Sequence, residues 1–384
     1  MQTLEKISQH MKDRSSELRE LKSQGKKIVG YFPCGYFPDE MVYAAGAVPV
    51  ALNRGGDHEP VEVAGSYISR WIYTFGRACI GNRMSGTEPI YNLIDIFMVP
   101  VTDNHVRIVA DTWDTFTDVE VFRFGVPHVK MQEALDFYEG GLRLLKDRLE
   151  KLTGNQITDQ ALNEEIELAN KERDLFNQIA EMRKGERPPI SSRDFVTLNH
   201  ASLLLDRKVM VGLLKEVVDE LKGIETAASA GPRLMIMSTT LAHGDYRVFD
   251  MIANAGGQVV VEESGEGIRH FTEKVNVNGD PIKALADRYF WKRVPPGWFR
   301  PGHERQANAI KVATDYKIDG VVWYQMMFRE SDEMESFWYP EVLKKNVGVQ
   351  MLKLVSDYDS TERGQFITQI ETFIESLKTS KTIR

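Results

Sequence analysis

The stretch of sequence that decides the fold is KKIVGYFPCGYFPDEMVYAAGAVPVALNRGG, Lys26 to Gly56. KIVGYFP is an apolar run typical of a buried strand, and DEMVYAAG predicts a helix with Asp39 and Glu40 in its first turn. AVPVAL predicts a second strand directly after that helix. Strand, helix and strand in succession indicate a parallel sheet. The stretch also places a cysteine, Cys34, in the turn between the first strand and the helix.

The same alternation continues along the chain. NLIDIFMVPVT (residues 92–102) and VEVFRFGVPH (119–128) predict two further strands of the first sheet. A second α/β unit follows from residue 230, where RLMIMST, QVVVEE, IDGVVWYQM and GVQMLKLVSD predict strands and DYRVFDMIANAG a helix. We therefore predict an α/β protein of two tandem doubly wound, flavodoxin-like parallel-sheet domains, residues 1–129 and 230–384, joined by a helical segment, residues 130–229.

The helical segment shows three amphipathic patterns. Residues 131–154 have leucines at helical spacing and end at Gly154, a residue typical of helix C-termini. Residues 157–185 begin with Thr158 or Asp159 as a candidate cap. Residues 196–223 predict a third continuous helix.

The overall charge excludes some classes of function. The chain of 384 residues has a formal net charge of -8, and its basic residues are scattered among acidic ones. A nucleic-acid or anionic-membrane surface needs clustered basic residues, so we expect neither partner. The N-terminal segment has no apolar core for a signal peptide, and no apolar run approaches the ~20 residues of a membrane span. Two cysteines without a signal indicate a cytoplasmic protein without disulfides.

Loops that follow strands are the places to look for a site, because ligands of open α/β sheets lie beyond the carboxyl ends of the strands. The predicted loops are residues 33–38, 53–60, 238–246, 262–270, 324–336 and 356–364. Their histidines, His58, His243 and His270, do not have metal-ligand spacing. The phosphate-loop, zinc-protease, serine-hydrolase and dithiol motifs do not occur, so no nucleotide or hydrolase chemistry is indicated.

The two cysteines differ in their predicted surroundings. A strand-to-helix turn is an exposed, electropositive position that favours a thiolate, so Cys34 is a candidate nucleophile or ligand of a soft metal. Cys79 lies in GSYISRWIYTFGRACIGNRMSG, a predicted helix that ends near Gly81. A free cysteine in a helix is commonly a small buried hydrophobic residue, and that interpretation stays open for Cys79.

The segment GYFPCGYFPDEMVYAAGAVPVAL, residues 30–52, resembles the first cysteine segment of the benzoyl-CoA reductase and 2-hydroxyacyl-CoA dehydratase family. Further segments are similar to that family in the same order along the chain. They are LEKLTGNQITDQALNEEIELANKERDLF, the PPIS of residues 188–191, GDYRVFDMIANAGGQVVVEE and DGVVWYQMMFRES. The resemblance therefore extends over nearly the whole chain.

The resemblance implies a 4Fe-4S cluster, with Cys34 and Cys79 as its ligands. Family members often have a third cluster cysteine at or near the position of Arg329, where this chain has none. Because such a cluster needs four ligands, the remaining irons would be bound by another group of this chain, by a partner subunit, or by water and substrate. Loss of the cluster from this subunit is the further alternative.

The resemblance also assigns roles to the loop after IDGVVWYQM. Tyr324, Gln325, Arg329 and Glu330 are candidate residues that orient a thioester carbonyl or supply a proton. Arg329 cannot lose its proton, so we predict that it acts electrostatically, either toward the substrate or paired with Glu330 or Asp332. In the last loop, Asp357 and its neighbours are interpreted equally well as turn and cap residues.

The function implied by the resemblance is that of a cluster-carrying subunit of an ATP-dependent aryl-CoA reductase of the benzoyl-CoA reductase type. Such an oxidoreductase of anaerobic aromatic degradation would pair two homologous cluster-carrying subunits. Separate ATP-hydrolysing iron-sulfur subunits would donate the electrons, and an acyl-CoA ring would be reduced at CH-CH bonds to a cyclic dienoyl-CoA. The alternatives are a subunit of a 2-hydroxyacyl-CoA dehydratase, a ketyl-radical lyase, and a non-catalytic scaffold subunit of either enzyme.

Overall fold

The computed structural model describes residues 1–224 and 231–383 of the chain. Its first half contains a sheet of four parallel strands in the order β2-β1-β3-β4. These strands are β1 (Ile28–Tyr31), β2 (Val48–Ala51), β3 (Ile96–Val101) and β4 (Glu120–Gly125). Every residue of β1 and β2 is buried, as the continuous apolar runs of the sequence require for strands covered on both faces.

The second half repeats this arrangement. Its sheet is also parallel, in the equivalent order β6-β5-β7-β8. The strands are β5 (Arg233–Ser238), β6 (Gln258–Glu263), β7 (Gly320–Met326) and β8 (Gln350–Ser356). The prediction of two tandem flavodoxin-like sheets in an α/β protein is confirmed. The predicted domain boundary between residues 229 and 230 lies outside the described residues.

Helices flank the sheets and fill the region between them. Those of the first half are α1 (Gln2–Ser23), α2 (Glu40–Ala44), α3 (His58–Ala64), α4 (Thr74–Ser85) and α5 (Asn104–Phe116). The middle of the chain forms α6 (Gln132–Thr153), α7 (Asp159–Arg183), α8 (Ser192–Leu204) and α9 (Arg207–Lys222). The second half adds α10 (Arg247–Asn254), α11 (Pro281–Ala286), α12 (Gly302–Asp315), α13 (Glu330–Ser336), α14 (Tyr339–Val347) and α15 (Glu362–Ile383).

Local signals explain the helix ends. Gly154 ends α6 in the left-handed conformation, and the Thr158 hydroxyl accepts a hydrogen bond from the backbone N–H of Ala161 at the start of α7, both as predicted. The single helix predicted over residues 196–223 is wrong. The chain breaks after Leu204, and the Asp206 carboxylate caps a new helix, α9.

The helix that contains Cys79 begins and ends later than predicted, since α4 begins only at Thr74. Instead of ending near Gly81, α4 continues to Ser85 and ends at Gly86 in the left-handed conformation. Gly81 serves close packing, because a Cβ atom there would overlap with the Pro60 carbonyl oxygen in α3. No helix in residues 1–224 and 231–383 is long and apolar enough to cross a membrane.

One hydrophobic core cluster joins the two halves. It contains Ile28 and Phe97 from the first sheet and Ile236 and Val322 from the second. The loops at the carboxyl ends of the strands also meet, since the backbone N–H of His243, after β5, donates to the carbonyl of Asn53, after β2. The carboxyl ends of both sheets therefore border one region between the halves.

Candidate functional site

An inner cavity of about 80 Å³ lies between the carboxyl ends of the two sheets. The first half contributes Cys34, Tyr36, Tyr73 and Thr102 to its wall, and the second half contributes Glu263, Arg269, Arg293, Arg305, Arg329 and Asp332. An outer cavity of about 240 Å³ adjoins it and includes Lys184 and Lys311 in its wall. Arg269, Arg293 and Val294 line both cavities.

Three of the four arginines of the inner cavity are paired with carboxylates. Arg269 donates through Nε to Oε1 of Glu263 at 2.6 Å. Arg305 donates through Nε to Oε2 of Glu335 at 2.7 Å. Their charges are thereby compensated inside the protein, as buried ions require.

Arg329 forms the third pair, and it joins the two halves. Its Nη2 donates to Oδ2 of Asp103 at 2.8 Å, while the other carboxylate oxygen of Asp103 caps α5. Burial would raise the pKa of Asp103, but the charge and hydrogen bond of Arg329 outweigh it and lower that pKa. The predicted partner of Arg329, Glu330 or Asp332, is therefore wrong as an ion pair, because Asp103 takes that position.

Asp332 is a buried carboxyl in the wall of the inner cavity. Its side chain is only 7% exposed, and Oδ2 has no hydrogen-bond partner among the residues that the structure describes. Burial raises the pKa of Asp332 to about 6, although the neighbouring guanidinium groups oppose this shift. The group can therefore both hold and release a proton near neutral pH.

Cys34 lines the inner cavity, but its surroundings differ from those predicted. The side chain is half-buried rather than exposed. Burial raises the pKa of the thiol to about 12, and the backbone N–H of Tyr36 and the charge of Arg293 offset only part of that shift. The expected helix dipole is too distant to help, because α2 has five residues and begins only at Glu40. Burial therefore favours the neutral thiol of Cys34 over the thiolate.

Cys79 lies in the hydrophobic core cluster with Trp113 and Tyr91, and Cys34 packs against the same cluster. Cys79 is fully buried, burial raises the pKa of its thiol, and it does not line the inner cavity. Within the described residues no group of three or more His, Cys, Asp or Glu side chains could hold a metal ion. The described residues therefore provide no complete set of four protein ligands for a 4Fe-4S cluster around the two cysteines.

The other residues predicted from the loop after β7 are dispersed. Tyr324 and Gln325 lie within β7 rather than after it, and neither lines the inner cavity. The Tyr324 hydroxyl donates to Asp245, and Gln325 donates through Nε2 to Glu333 at 2.7 Å. Both side chains therefore form hydrogen bonds with residues of the second half.

Glu330 also lies outside the wall of the inner cavity. Its half-exposed carboxylate accepts a hydrogen bond from Nε2 of the buried His105 at 2.6 Å, and the pair joins α13 to α5. Of the four residues predicted in this loop, only Arg329 reaches the inner cavity.

Asp357, in the last predicted loop, joins the two halves. Its carboxylate accepts a hydrogen bond from the Thr74 hydroxyl at 2.6 Å and pairs with Arg77, both in α4. His58 lies beside it, with Nδ1 3.2 Å from the Asp357 carbonyl. These residues fix the first half against the second and do not line the inner cavity.

The sequence did not indicate Arg269, Arg293 or Arg305 as site residues, and it indicated Asp332 only as a possible partner of Arg329. Arg269 and Asp332 lie in two of the predicted loops that follow strands. Their positions in the sequence therefore marked both as possible site residues. Arg293 lies between α11 and α12, and Arg305 lies in the first turn of α12, so neither residue directly follows a strand. Only the folded chain brings those two to the carboxyl ends of the sheets.

The sequence matches the family described as 2-hydroxyglutaryl-CoA dehydratase, D-component, over residues 34–377. It is 22% identical to the (R)-phenyllactyl-CoA dehydratase beta subunit of Clostridium sporogenes over 94% of each chain. Identity to the beta subunit of (R)-2-hydroxyglutaryl-CoA dehydratase of Acidaminococcus fermentans is 22%, over 94% of this chain and 95% of that one. A benzoyl-CoA reductase subunit of Thauera aromatica is 25% identical, over 68% of this chain and 67% of its own.

Proposed function

Because the chain belongs to the 2-hydroxyglutaryl-CoA dehydratase, D-component family, we propose that it is a subunit of an enzyme that converts an acyl-CoA thioester bound in the inner cavity. The resemblance to the benzoyl-CoA reductase and 2-hydroxyacyl-CoA dehydratase family is thus confirmed. The observation that carries the proposal is the inner cavity itself. It combines buried guanidinium groups with one incompletely hydrogen-bonded carboxyl at the carboxyl ends of both sheets.

The reaction that we propose first is removal of water from a 2-hydroxyacyl-CoA, which gives a 2-enoyl-CoA. Relatives named as dehydratase beta subunits align with 92–94% of the chain, whereas the reductase subunit aligns with 68%. Reduction of an aryl-CoA by two electrons and two protons to a cyclic dienoyl-CoA, which we expected from sequence, is the second candidate.

The charges of the inner cavity suit either reaction. Negative charge that develops on a thioester oxygen would be stabilised by guanidinium groups already fixed by their carboxylate partners. Asp332 is the candidate proton donor, because its carboxyl can deliver a proton to a departing hydroxide or a reduced ring. The rings of Tyr36 and Tyr73, both in the wall, would exclude water from these groups.

We propose that an iron-sulfur cluster of the assembled enzyme is held by a partner subunit. The proposal is supported by the positions of the two thiols, since Cys34 lines the inner cavity and Cys79 lies in the core. The relatives are themselves named as subunits, so the expected partner is a homologous second chain. We also propose that separate ATP-hydrolysing iron-sulfur subunits donate the electrons.

An exposed apolar surface on and beside α13 is the candidate contact for that second chain. This aromatic surface consists of Trp298, Met334, Phe337 and Trp338, with exposed fractions of 41%, 53%, 73% and 61%. A cluster of large exposed apolar side chains is typical of protein interfaces. It lies next to the inner cavity, since α13 also carries Asp332.

Calorimetric titration of the full-length chain with a 2-hydroxyacyl-CoA, benzoyl-CoA and free CoA tests the proposed substrate class. We expect the thioesters to bind at least about tenfold more tightly than free CoA, because only they place a carbonyl beside the guanidinium groups. Thr239→Trp fills the inner cavity and should abolish the difference, whereas Thr115→Trp, on the exposed face of α5, should keep it. Equal affinity of the wild type for CoA and its thioesters would refute the proposal.

A further inference from the structure

Tyr339 is a buried tyrosine whose hydroxyl proton has no acceptor. It is the first residue of α14, it lines the inner cavity, and its side chain is only 2% exposed. No residue that the structure describes accepts a hydrogen bond from its hydroxyl. Because a buried donor without an acceptor costs free energy, the position of this hydroxyl indicates a partner that comes from outside the chain.

The charged groups nearest to this hydroxyl are already engaged with one another. Both carboxylate oxygens of Glu263 accept hydrogen bonds from Arg269, and Oε1 also accepts one from Asn308. Arg305 directs its three nitrogens to Glu335 and to two backbone carbonyls. An arginine has only donors, so none of these groups takes up the hydroxyl proton.

Packing holds the tyrosine ring in a fixed position. The centre of its ring lies 5.1 Å from that of Trp323, whose Nε1 donates to Oε1 of Gln325 at 2.9 Å. Both aromatic rings belong to a buried cluster that also contains Val312 and Leu343. The hydroxyl is therefore a donor that is oriented before any ligand arrives, which is the arrangement that stabilises developing charge best.

The hydroxyl stays protonated under all conditions in which the protein is folded and active. Burial, with a smaller contribution from the charge of Glu263, raises the pKa of Tyr339 to about 12. A neutral donor can bind a neutral acceptor without leaving an unpaired charge inside the protein. Every acyl-CoA has such an acceptor in the carbonyl oxygen of its thioester, whereas the thioester sulfur is a weak one.

We propose that the hydroxyl of Tyr339 donates a hydrogen bond to the carbonyl oxygen of the bound thioester. This inference rests on the proposed function and adds a binding residue to it. Negative charge that develops on this oxygen strengthens the hydrogen bond, so the contact favours the reacting state over the bound substrate. Arg269 and Arg305 would act on the same oxygen through their charge, because their hydrogen bonds go to other partners.

The test compares butanoyl-CoA with S-butyl-CoA, a thioether that has a methylene group in place of the carbonyl. In calorimetric titration of the full-length wild type we expect butanoyl-CoA to bind roughly fivefold more tightly, as one added hydrogen bond implies. Tyr339→Phe should reduce this ratio to about one. Tyr358→Phe is the matched control and should keep the ratio, because the Tyr358 hydroxyl is also buried and without a described partner but does not line the inner cavity.

Infrared spectra of bound butanoyl-CoA, isotopically labelled at the carbonyl carbon, identify the donor. A hydrogen bond lowers the stretching frequency of the carbonyl, so we expect a lower frequency on the wild type and on Tyr358→Phe than on Tyr339→Phe. Arg293 is the competing donor, since it lines the same cavity and forms no hydrogen bond with any residue that the structure describes. A frequency that changes in Arg293→Met but not in Tyr339→Phe would assign the carbonyl to Arg293 and overturn the inference.

Stability without ligand separates this role from a structural one. Because its hydroxyl has no acceptor to lose, Tyr339→Phe should unfold at the wild-type temperature or above. A lower melting temperature of this variant would mean that the hydroxyl has a partner within the fold, and would count against the inference.

The inference and the proposed function fail in different ways. Equal affinity of the wild type for butanoyl-CoA and S-butyl-CoA, with both bound more tightly than free CoA, would overturn the inference and leave the proposed function standing. The hydroxyl would then be assigned to an ordered water. Affinity of the wild type for butanoyl-CoA no higher than for free CoA would refute the proposed function, and the inference with it.

Discussion

The buried carboxyl of Asp332 predicts how the free energy of unfolding depends on pH. Its pKa is raised by burial from its ordinary value of 3.8 to about 6, so the folded chain holds this proton more tightly than the unfolded chain does. The free energy of unfolding therefore falls as pH rises through this interval, and the loss is complete above pH 6. Asp332→Asn, which stays neutral, should gain about 2 to 3 kcal/mol relative to wild type between pH 4 and pH 7.

Urea unfolding of both proteins at pH 4 and pH 7 measures that gain. The pH-independent part of the substitution cancels in the difference. Glu330→Gln is the control on the same helix, since that carboxylate is half-exposed and pairs with His105. A constant difference between Asp332→Asn and wild type across the interval would mean that the pKa of Asp332 is the same in the folded and the unfolded chain.

The ion pair between Arg329 and Asp103 predicts that substitutions of these two residues have coupled effects on stability. Arg329→Met leaves Asp103 buried without its partner and should lower the free energy of unfolding by about 3 to 5 kcal/mol. Asp103→Asn keeps an oxygen that can cap α5, so the double variant should be more stable than Arg329→Met alone. A double-mutant cycle from urea unfolding gives the coupling, and additive losses would show that the pair contributes nothing.

The residues of the candidate site could be predicted from sequence only where the signal was local. Arg329 follows a strand and was therefore among the predicted site residues. Asp332 lies two residues beyond Glu330 in the same loop, but the direction in which each carboxylate points depends on how α13 packs against β7. Arg293 had no signal of this kind, because it reaches the site from a loop that no strand precedes.

At the scale of elements, the close packing of α4 against α3 predicts that a methyl group added between these helices lowers the stability of the fold. Gly81→Ala should push α4 away from α3, because the new Cβ overlaps with the Pro60 carbonyl oxygen, and we expect a loss of about 2 kcal/mol or more. Gly140→Ala in α6 is the matched control. No atom lies within 4 Å of its added Cβ, so it should gain about 0.5 to 1 kcal/mol.

Thermal unfolding of both glycine variants is the measurement. Opposite shifts of the melting temperature are expected from the same chemical change. A stabilised Gly81→Ala would mean that α3 and α4 do not pack as closely as the structure has them.

Elements with local start and stop signals could be predicted, and those without them could not. Gly154 and Thr158 fixed the ends of α6 and α7 because glycine and threonine act through their own backbone and hydroxyl. The break between α8 and α9 was missed because apolar spacing continues through it. Asp206, a helix-capping residue in the middle of the pattern, was the available signal.

At the scale of the whole molecule, the aromatic surface predicts how the chain assembles. Phe337→Glu combined with Trp338→Glu should abolish co-purification of the homologous partner, because two charges would have to be buried in the contact. Phe137→Glu is the control, since Phe137 is 61% exposed on α6. Size-exclusion chromatography of the co-expressed chains gives the result, and an intact complex of the double variant would exclude this surface.

Iron analysis distinguishes where a cluster resides. We expect the chain purified alone under anaerobic conditions to contain much less iron than one 4Fe-4S cluster per chain, and Cys34→Ser to leave that content unchanged. The assembled complex should contain iron that follows the partner. A full cluster in the isolated chain, lost in Cys34→Ser, would instead assign it to this subunit.

The hydrophobic core that both sheets share has a consequence for how a ligand is exchanged. Ile28 and Phe97 pack in the same cluster as Ile236 and Val322, so a hinge motion that separated the halves would expose apolar surface from both sheets. The chain should consequently behave as one rigid body. Entry and release of a ligand would then depend on side-chain rearrangement at the mouth of the outer cavity rather than on opening of a cleft between domains.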